Sequence, residues 1–189
     1  MSLSRLDGFT LLELLLVTAM LIIVMGIAVP LSLNVTERMR LNQATREVER
    51  EFQSARLKSV SVNRRLQVRL ACPVAGQFRT LEVMGTATDT AGNRCDETAF
   101  PSPGPADGDP STPAHDGPVR YVSAGTTLSG TGGEGGTITA LEFGSDGQVR
   151  EISGGIARRI APAGVNFTVM RGPLTATLNI NGLGRIQIR

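Results

Sequence analysis

Residues 1–30 read MSLSRLDGFTLLELLLVTAMLIIVMGIAVP, and inside their long apolar run stands one acid, Glu13. From Phe9 to Leu33 no other side chain is strongly polar; Thr10, Thr18 and Ser32 are mild. As a helix the twenty-five residues 9–33 span ~37 Å, enough to cross a hydrocarbon core of ~30 Å. A secretory signal peptide needs a shorter apolar core ending in a small-x-small site, whereas this run ends in AVPLSLN. Flanking charge sets no orientation, with Arg5 before the run and Arg38 and Arg40 after it. A plain membrane anchor accounts for the run but leaves Glu13 unexplained, because a carboxylate in hydrocarbon costs about 3 kcal/mol unless it is paired or near an interface.

Cleavage between Gly8 and Phe9 removes the difficulty. The new amine on Phe9 then lies four residues before Glu13, on the same helix face, and the positive end of the helix dipole also favours the acid there. The phrase GFTLLELLLV resembles the N-terminal motif of type IV prepilins: a short leader ending in Gly8, then Phe9, Thr10, Leu11, Leu12 and Glu13. That resemblance implies a prepilin peptidase that cuts after Gly8 and methylates the amine of Phe9. It also implies a role for Glu13 in packing the helix into a filament. It covers about the first thirty residues and points to a superfamily, not to one machine.

Beyond Pro30, which removes one helix hydrogen bond and favours a kink, Leu41, Ala44, Val48, Phe52, Ala55, Ser59 and Val62 recur at spacings of three and four. They form one apolar stripe, with Arg46, Glu47, Arg50 and Glu51 opposite, and predict a helix over 10–62 that ends at Asn63. The period then becomes two. Leu66, Val68 and Leu70 alternate with Gln67 and Arg69. Further strands are expected over 78–84, 137–143, 148–152, 165–170, 174–180 and 185–188, with a weak one at YVSAG, a flexible glycine turn at TLSGTGGEGG and a hairpin turn at 181–184. Residues 96–118 hold six prolines and five acids without periodicity and read as a long mobile loop. With 22 Gly, 10 Pro and no Trp, the body is β-rich.

This layout resembles the GspH/FimT-type pseudopilins, in the phrases ALEFGSDGQV (140–149) and Gly184-Arg185-Ile186 and in FQSARLKSVSVNRRLQVRL (52–70). The fold implied is α+β: a long N-terminal helix on an antiparallel, β-sandwich-like body. The domains implied are a cleaved leader (1–8), a membrane or filament-core helix (9–33), its amphipathic half (34–63) and a globular domain (64–189). The implied protein is a structural subunit of a type IV pilus or a type II secretion pseudopilus. It sits in the bacterial inner membrane with its body in the periplasm and then enters the filament. Implied partners are the peptidase, other pilins, the inner-membrane assembly platform, membrane lipid, and secreted cargo or DNA.

Cys72 and Cys95, 23 positions apart, read as a disulfide in an exported body or as two buried thiols otherwise. Convergent catalytic groups are not visible. His115, the only histidine, stands in the Pro-rich loop, and no zinc spacing or phosphate-loop pattern occurs. No enzyme and no cofactor is therefore expected. Asp107, Asp109 and Asp116 lack EF-hand spacing and read as solvated acids. Charge is uneven: residues 70–149 carry ten acids against three arginines, while 150–189 carry six arginines against Glu151. In that basic tail Arg185 and Arg189 would share one strand face ~13 Å apart, with Arg171, Arg150, Arg158 and Arg159 as further candidates. Such a patch suits DNA phosphates; the competing reading is a charged sheet edge that discourages aggregation.

Overall fold

The computed structural model describes residues 10–105 and 112–189. The chain divides into two compact units, residues 1–39 and 40–189. Helix α1, Leu11–Ser61, begins in the first and ends in the second, continuing through position 30. In the first unit every described side chain from Leu11 to Val29 is exposed.

In the second unit α1 buries Leu41, Ala44, Val48, Phe52, Ala55 and Ser59 of the predicted stripe, whereas Val62 falls just past the helix end and is half-buried. It stops at Asn63, whose φ of 53° is left-handed. The Asn63 N–H donates to the Val60 carbonyl (3.3 Å) and the Arg64 N–H to that of Ser59 (3.1 Å). These two bonds are a Schellman cap with asparagine in the position usually held by glycine.

Eleven strands follow among the described residues: β1 Leu66–Leu70, β2 Gln77–Glu82, β3 Val119–Tyr121, β4 Thr126–Thr131, β5 Thr137–Ile138, β6 Ala140–Phe143, β7 Val149–Ser153, β8 Ile156–Arg159, β9 Val165–Arg171, β10 Leu174–Ile180 and β11 Ile186–Ile188. They form a six-stranded sheet in the order β3-β2-β1-β6-β7-β8 and a five-stranded sheet in the order β11-β10-β9-β4-β5. Every pairing is antiparallel. The expected α+β architecture, helix on antiparallel sheets, is therefore the one found.

One core joins the helix to both sheets. Phe52 packs edge-to-face on Phe167 of β9, ring centroids 5.0 Å apart and planes at 65°. Around them lie Val68, Leu141, Phe143 and Val149 from the first sheet and Val169, Leu178 and Ile180 from the second. Leu178 and Ile180 are buried and Arg185, Gln187 and Arg189 exposed, as the alternation predicts, but Ile188, expected to face inward, is exposed on the edge strand β11.

Strand β3 ends at Tyr121, the first residue of the YVSAG run expected as a strand, and β4 occupies Thr126–Thr131, overlapping the run expected as a flexible glycine turn. Two further departures have local causes. The run 137–143 is two strands, because Ile138 pairs with Gly130 in one sheet and Ala140 with Arg69 and Ile152 in the other. Thr139 is the crossing point. Strand β8 was not expected at all; it forms because Gly154 and Gly155, with φ of 57° and 78°, make the tight turn that folds β8 back on β7.

The outer face of the six-stranded sheet is covered by residues from 83–105 and 112–118, which include two 3-10 turns, Ala87–Thr90 and Gly92–Cys95. The Cys72–Cys95 disulfide, Cα atoms 5.1 Å apart, ties this cover to the end of β1. The described flanks of the loop 96–118 are held by hydrogen bonds. Glu82 Oε2 accepts the N–H groups of Ala114 (3.0 Å) and His115 (3.1 Å), and Lys58 Nζ donates to the His115 carbonyl (2.9 Å).

Candidate assembly surfaces

The first candidate surface is the start of α1. Thr10 Oγ1 accepts the Glu13 N–H at 3.2 Å, and the Thr10 carbonyl accepts the Leu14 N–H at 3.2 Å. Thr10 is thus the N-cap, and Thr10-Leu-Leu-Glu13 has the spacing of a capping box. The cap starts the helix at Leu11 and fixes Glu13 in its first turn, with its side chain exposed. Gly8 and Phe9 lie outside the described residues. After Glu13 the helix contains an 18-residue window of mean hydropathy 2.8, none of it buried. By length and composition this helix can cross a membrane. Exposed apolar surface of that extent requires lipid or protein to cover it.

The second candidate surface is the arginine-rich tail. Arg185 and Arg189 flank β11 and project from the outer face of the five-stranded sheet beside Gln187. The neighbouring strands present Asn179, Thr177 and Thr175, then Asn166, Thr168 and Met170, then Thr127, Ser129 and Thr131 on that same face. This face has hydroxyls and amides, two cations and no acid among those residues. Arg171 does not join them. It pairs with Leu174 at the opposite end of β10, and its guanidinium donates to the Ala124 carbonyl and, at 3.3 Å, to Thr126 Oγ1. Arg150, Arg158 and Arg159 belong to the other sheet, on β7 and β8.

A third arrangement, two buried arginines, holds the cover in place. Arg94 is fully buried. Its Nε and Nη2 donate to the two carboxylate oxygens of Asp116 at 2.8 and 2.9 Å, and Nη2 also donates to the Glu82 carbonyl at 2.8 Å. Asp116 Oδ1 accepts the Glu82 N–H as well (2.8 Å), and the Phe100 ring lies 5.2 Å from the Arg94 guanidinium. Arg79, equally buried, donates to the carbonyls of Gly117 (2.7 Å), Arg94 (2.9 Å) and Phe100 (2.5 Å). A covering segment with little secondary structure leaves carbonyls needing donors, and one guanidinium carries five. Asp116 is therefore an ion-pair partner, whereas Asp107 and Asp109 lie outside the described residues. Among the described residues no three histidine, cysteine or acidic side chains group as metal ligands.

Two groups here have shifted pKa values. Burial, reinforced by nearby Arg94, pulls the Arg69 guanidinium below its usual value. Hydrogen bonds from the Thr98 hydroxyl and N–H hold the exposed Asp96 carboxylate below its usual range. Because that folded value is depressed, the Asp96 contribution is present above the unfolded carboxylate pKa and is lost as pH falls through the folded one.

No family model and no curated protein matches the sequence. Two crystal structures of the type IV minor pilin FimU from Pseudomonas aeruginosa strain PAO1 are similar in fold. One has a TM-score of 0.48 at 18% identity, covering 82% of this chain and 91% of FimU. The other has a TM-score of 0.45 at 16% identity, covering 78% of this chain and 91% of FimU.

Proposed function

We propose that this protein is a minor pilin or pseudopilin, a structural subunit that enters a filament through its N-terminal helix. The observation that carries the reading is the exposed apolar stretch of α1 with a lone acid held in its first turn by the Thr10 cap. Prepilin peptidase cuts between Gly8 and Phe9 and methylates the Phe9 amine. The helix stays in the inner membrane, with the body in the periplasm, until the assembly platform draws it into the filament. There the Phe9 amine meets Glu13 of a neighbouring subunit, and packed helices replace lipid around the apolar stretch.

Co-expression with a prepilin peptidase tests the first step. Mass spectrometry is expected to show a chain lacking residues 1–8, and an unchanged precursor mass removes the claim. Assembly is tested by Glu13→Ala in cells that build the filament. The processed variant should remain in the membrane fraction and fall at least tenfold in sheared filaments. Equal incorporation of variant and wild type would refute the pairing.

The acid-free outer face of the five-stranded sheet favours a second reading, a DNA-binding minor pilin of an uptake pilus using Arg185 and Arg189 against phosphates. Arg171, bonded at the far end of β10, would then be peripheral. Arg185→Ala with Arg189→Ala should weaken duplex binding at low salt and reduce the slope of log affinity against log salt by about 2. A gel shift that is negative at low salt, or indifferent to both substitutions, counts against it.

A further inference from the structure

The six-stranded sheet ends in two unlike edges. Strand β8 carries Arg159, whose register partner on β7 is another cation, Arg150. Like charges directly opposite each other repel, and Arg159 is exposed at the free edge. At the other end, β3 is flanked by Asp96 and Glu97, and the Val119 N–H donates to Glu97 Oε1 at 2.5 Å. Beside β3 lies a cleft of about 410 Å³ lined by Pro73, Gln77, Cys95, Asp96, Glu97, Val119 and the exposed Tyr121.

We propose that the β8 edge of one copy adds to the β3 edge of a second copy, with Arg159 entering the acidic cleft beside Glu97. Three independent features agree. First, the sheet has an even number of strands and every neighbour is antiparallel, so β3 and β8 run in opposite directions. A laterally displaced copy therefore continues the antiparallel alternation without being turned over.

Second, the outward-facing backbone groups match, with Glu97 releasing the Val119 N–H as its carboxylate takes up Arg159. The Ile152 carbonyl accepts the Thr139 N–H, so residue 152 points its backbone towards β6, and its neighbours 151 and 153 point theirs towards β8. On β8, Ile156 and Arg158 then bond inward while Ala157 and Arg159 present N–H and C=O outward. On β3 the Val119 N–H reaches outward to Glu97, so Tyr121 points outward too. Pairing Tyr121 with Ala157 brings Val119 opposite Arg159.

Third, the faces agree. The register rows place Val119, Tyr121, Ala157 and Arg159 all on the covered outer face. That pairing sets the Arg159 side chain on the same side of the sheet as Glu97. Charge also discriminates against the two-fold alternatives, since β8 on β8 opposes arginines and β3 on β3 opposes acids. The contact is heterologous and, repeated, runs on as an open array. It uses no atom of the Phe9–Glu13 pair and does not depend on the filament reading.

Sedimentation velocity of the full chain in excess detergent micelles, at low and high salt, tests it. Wild type should self-associate and lose at least tenfold in affinity at high salt. Ala157→Pro removes only an outward N–H, leaves the β7–β8 ladder intact and should abolish association. Glu97→Arg and Arg159→Glu should each abolish it alone, and an equal mixture of the two should restore a complex. Glu13→Ala should leave all of this unchanged. A wild type that does not associate, an Ala157→Pro chain that associates like wild type, or a mixture no better than either variant alone would overturn the proposal.

Discussion

Replacing Asp116 by alanine is expected to destabilise the second unit by about 3–5 kcal/mol, because it strips the counterion from a fully buried guanidinium. Arg94 would keep its bond to the Glu82 carbonyl but lose both carboxylate contacts, and the Glu82 N–H would lose its acceptor. One Arg94 nitrogen, Nη1, already lacks a hydrogen bond and lies 3.9 Å from Asp89 Oδ1, which leaves little local reserve. Asp116→Asn keeps acceptor capacity without the charge and should fall between wild type and alanine. Urea unfolding followed by circular dichroism reads the loss, and limited proteolysis should find new cleavage within residues 83–118. An alanine variant within 1 kcal/mol of wild type would mean that the disulfide, Arg79 and the bonds from Glu82 and Lys58 hold the cover without the Arg94–Asp116 pair.

Phe52→Ala should cost a similar amount, about 3–5 kcal/mol, for a different reason. Phe52 is fully buried where α1 meets the five-stranded sheet, and it packs edge-to-face on Phe167. Truncation removes the transfer free energy of the ring, the aromatic contact, and the filling of a site whose neighbours Val48 and Ala55 are on a rigid helix and cannot move in. Phe52→Leu, which restores most of the volume, should recover more than half of the loss. An alanine variant that unfolds at the same urea concentration as wild type would show that the helix contributes little to holding the second unit together.

The elements easiest to read were those whose pattern is local. The stripe from Leu41 to Ser59 announces its buried face by spacing alone, and Asn63 marks its end. The β10–β11 hairpin is equally plain, because Leu178 and Ile180 alternate and Asn181 to Gly184 supply the turn. Strand β8 was missed because IARR has one large apolar residue and no alternation. The signal that could have found it was the Gly154-Gly155 pair placed directly after β7, a hairpin turn by composition. The crossing at Thr139 left no trace, since a run that changes sheets looks the same as one that does not. The buried arginines were illegible for a deeper reason. Whether a guanidinium is solvated or buried depends on where carbonyls and a carboxylate from distant residues converge, and Arg79 and Arg94 draw on Phe100, Asp116 and Gly117. At the N-terminus, the helix and its acid were visible, but the role of Thr10 as a cap was not recognised, although Thr-x-x-Glu is its usual signature.

The Phe52–Phe167 contact also sets an order of events. A residue near the start of the second unit finds its partner only in β9, and Leu178 and Ile180 of β10 complete the same core. During synthesis the amphipathic helix must therefore wait, its stripe only partly shielded by the first sheet, until nearly the whole polypeptide has emerged. Contacts so far apart along the chain make closure slow compared with helix formation. Premature termination before β9 would leave the helix only the six-stranded sheet to fold against, with half of its core missing.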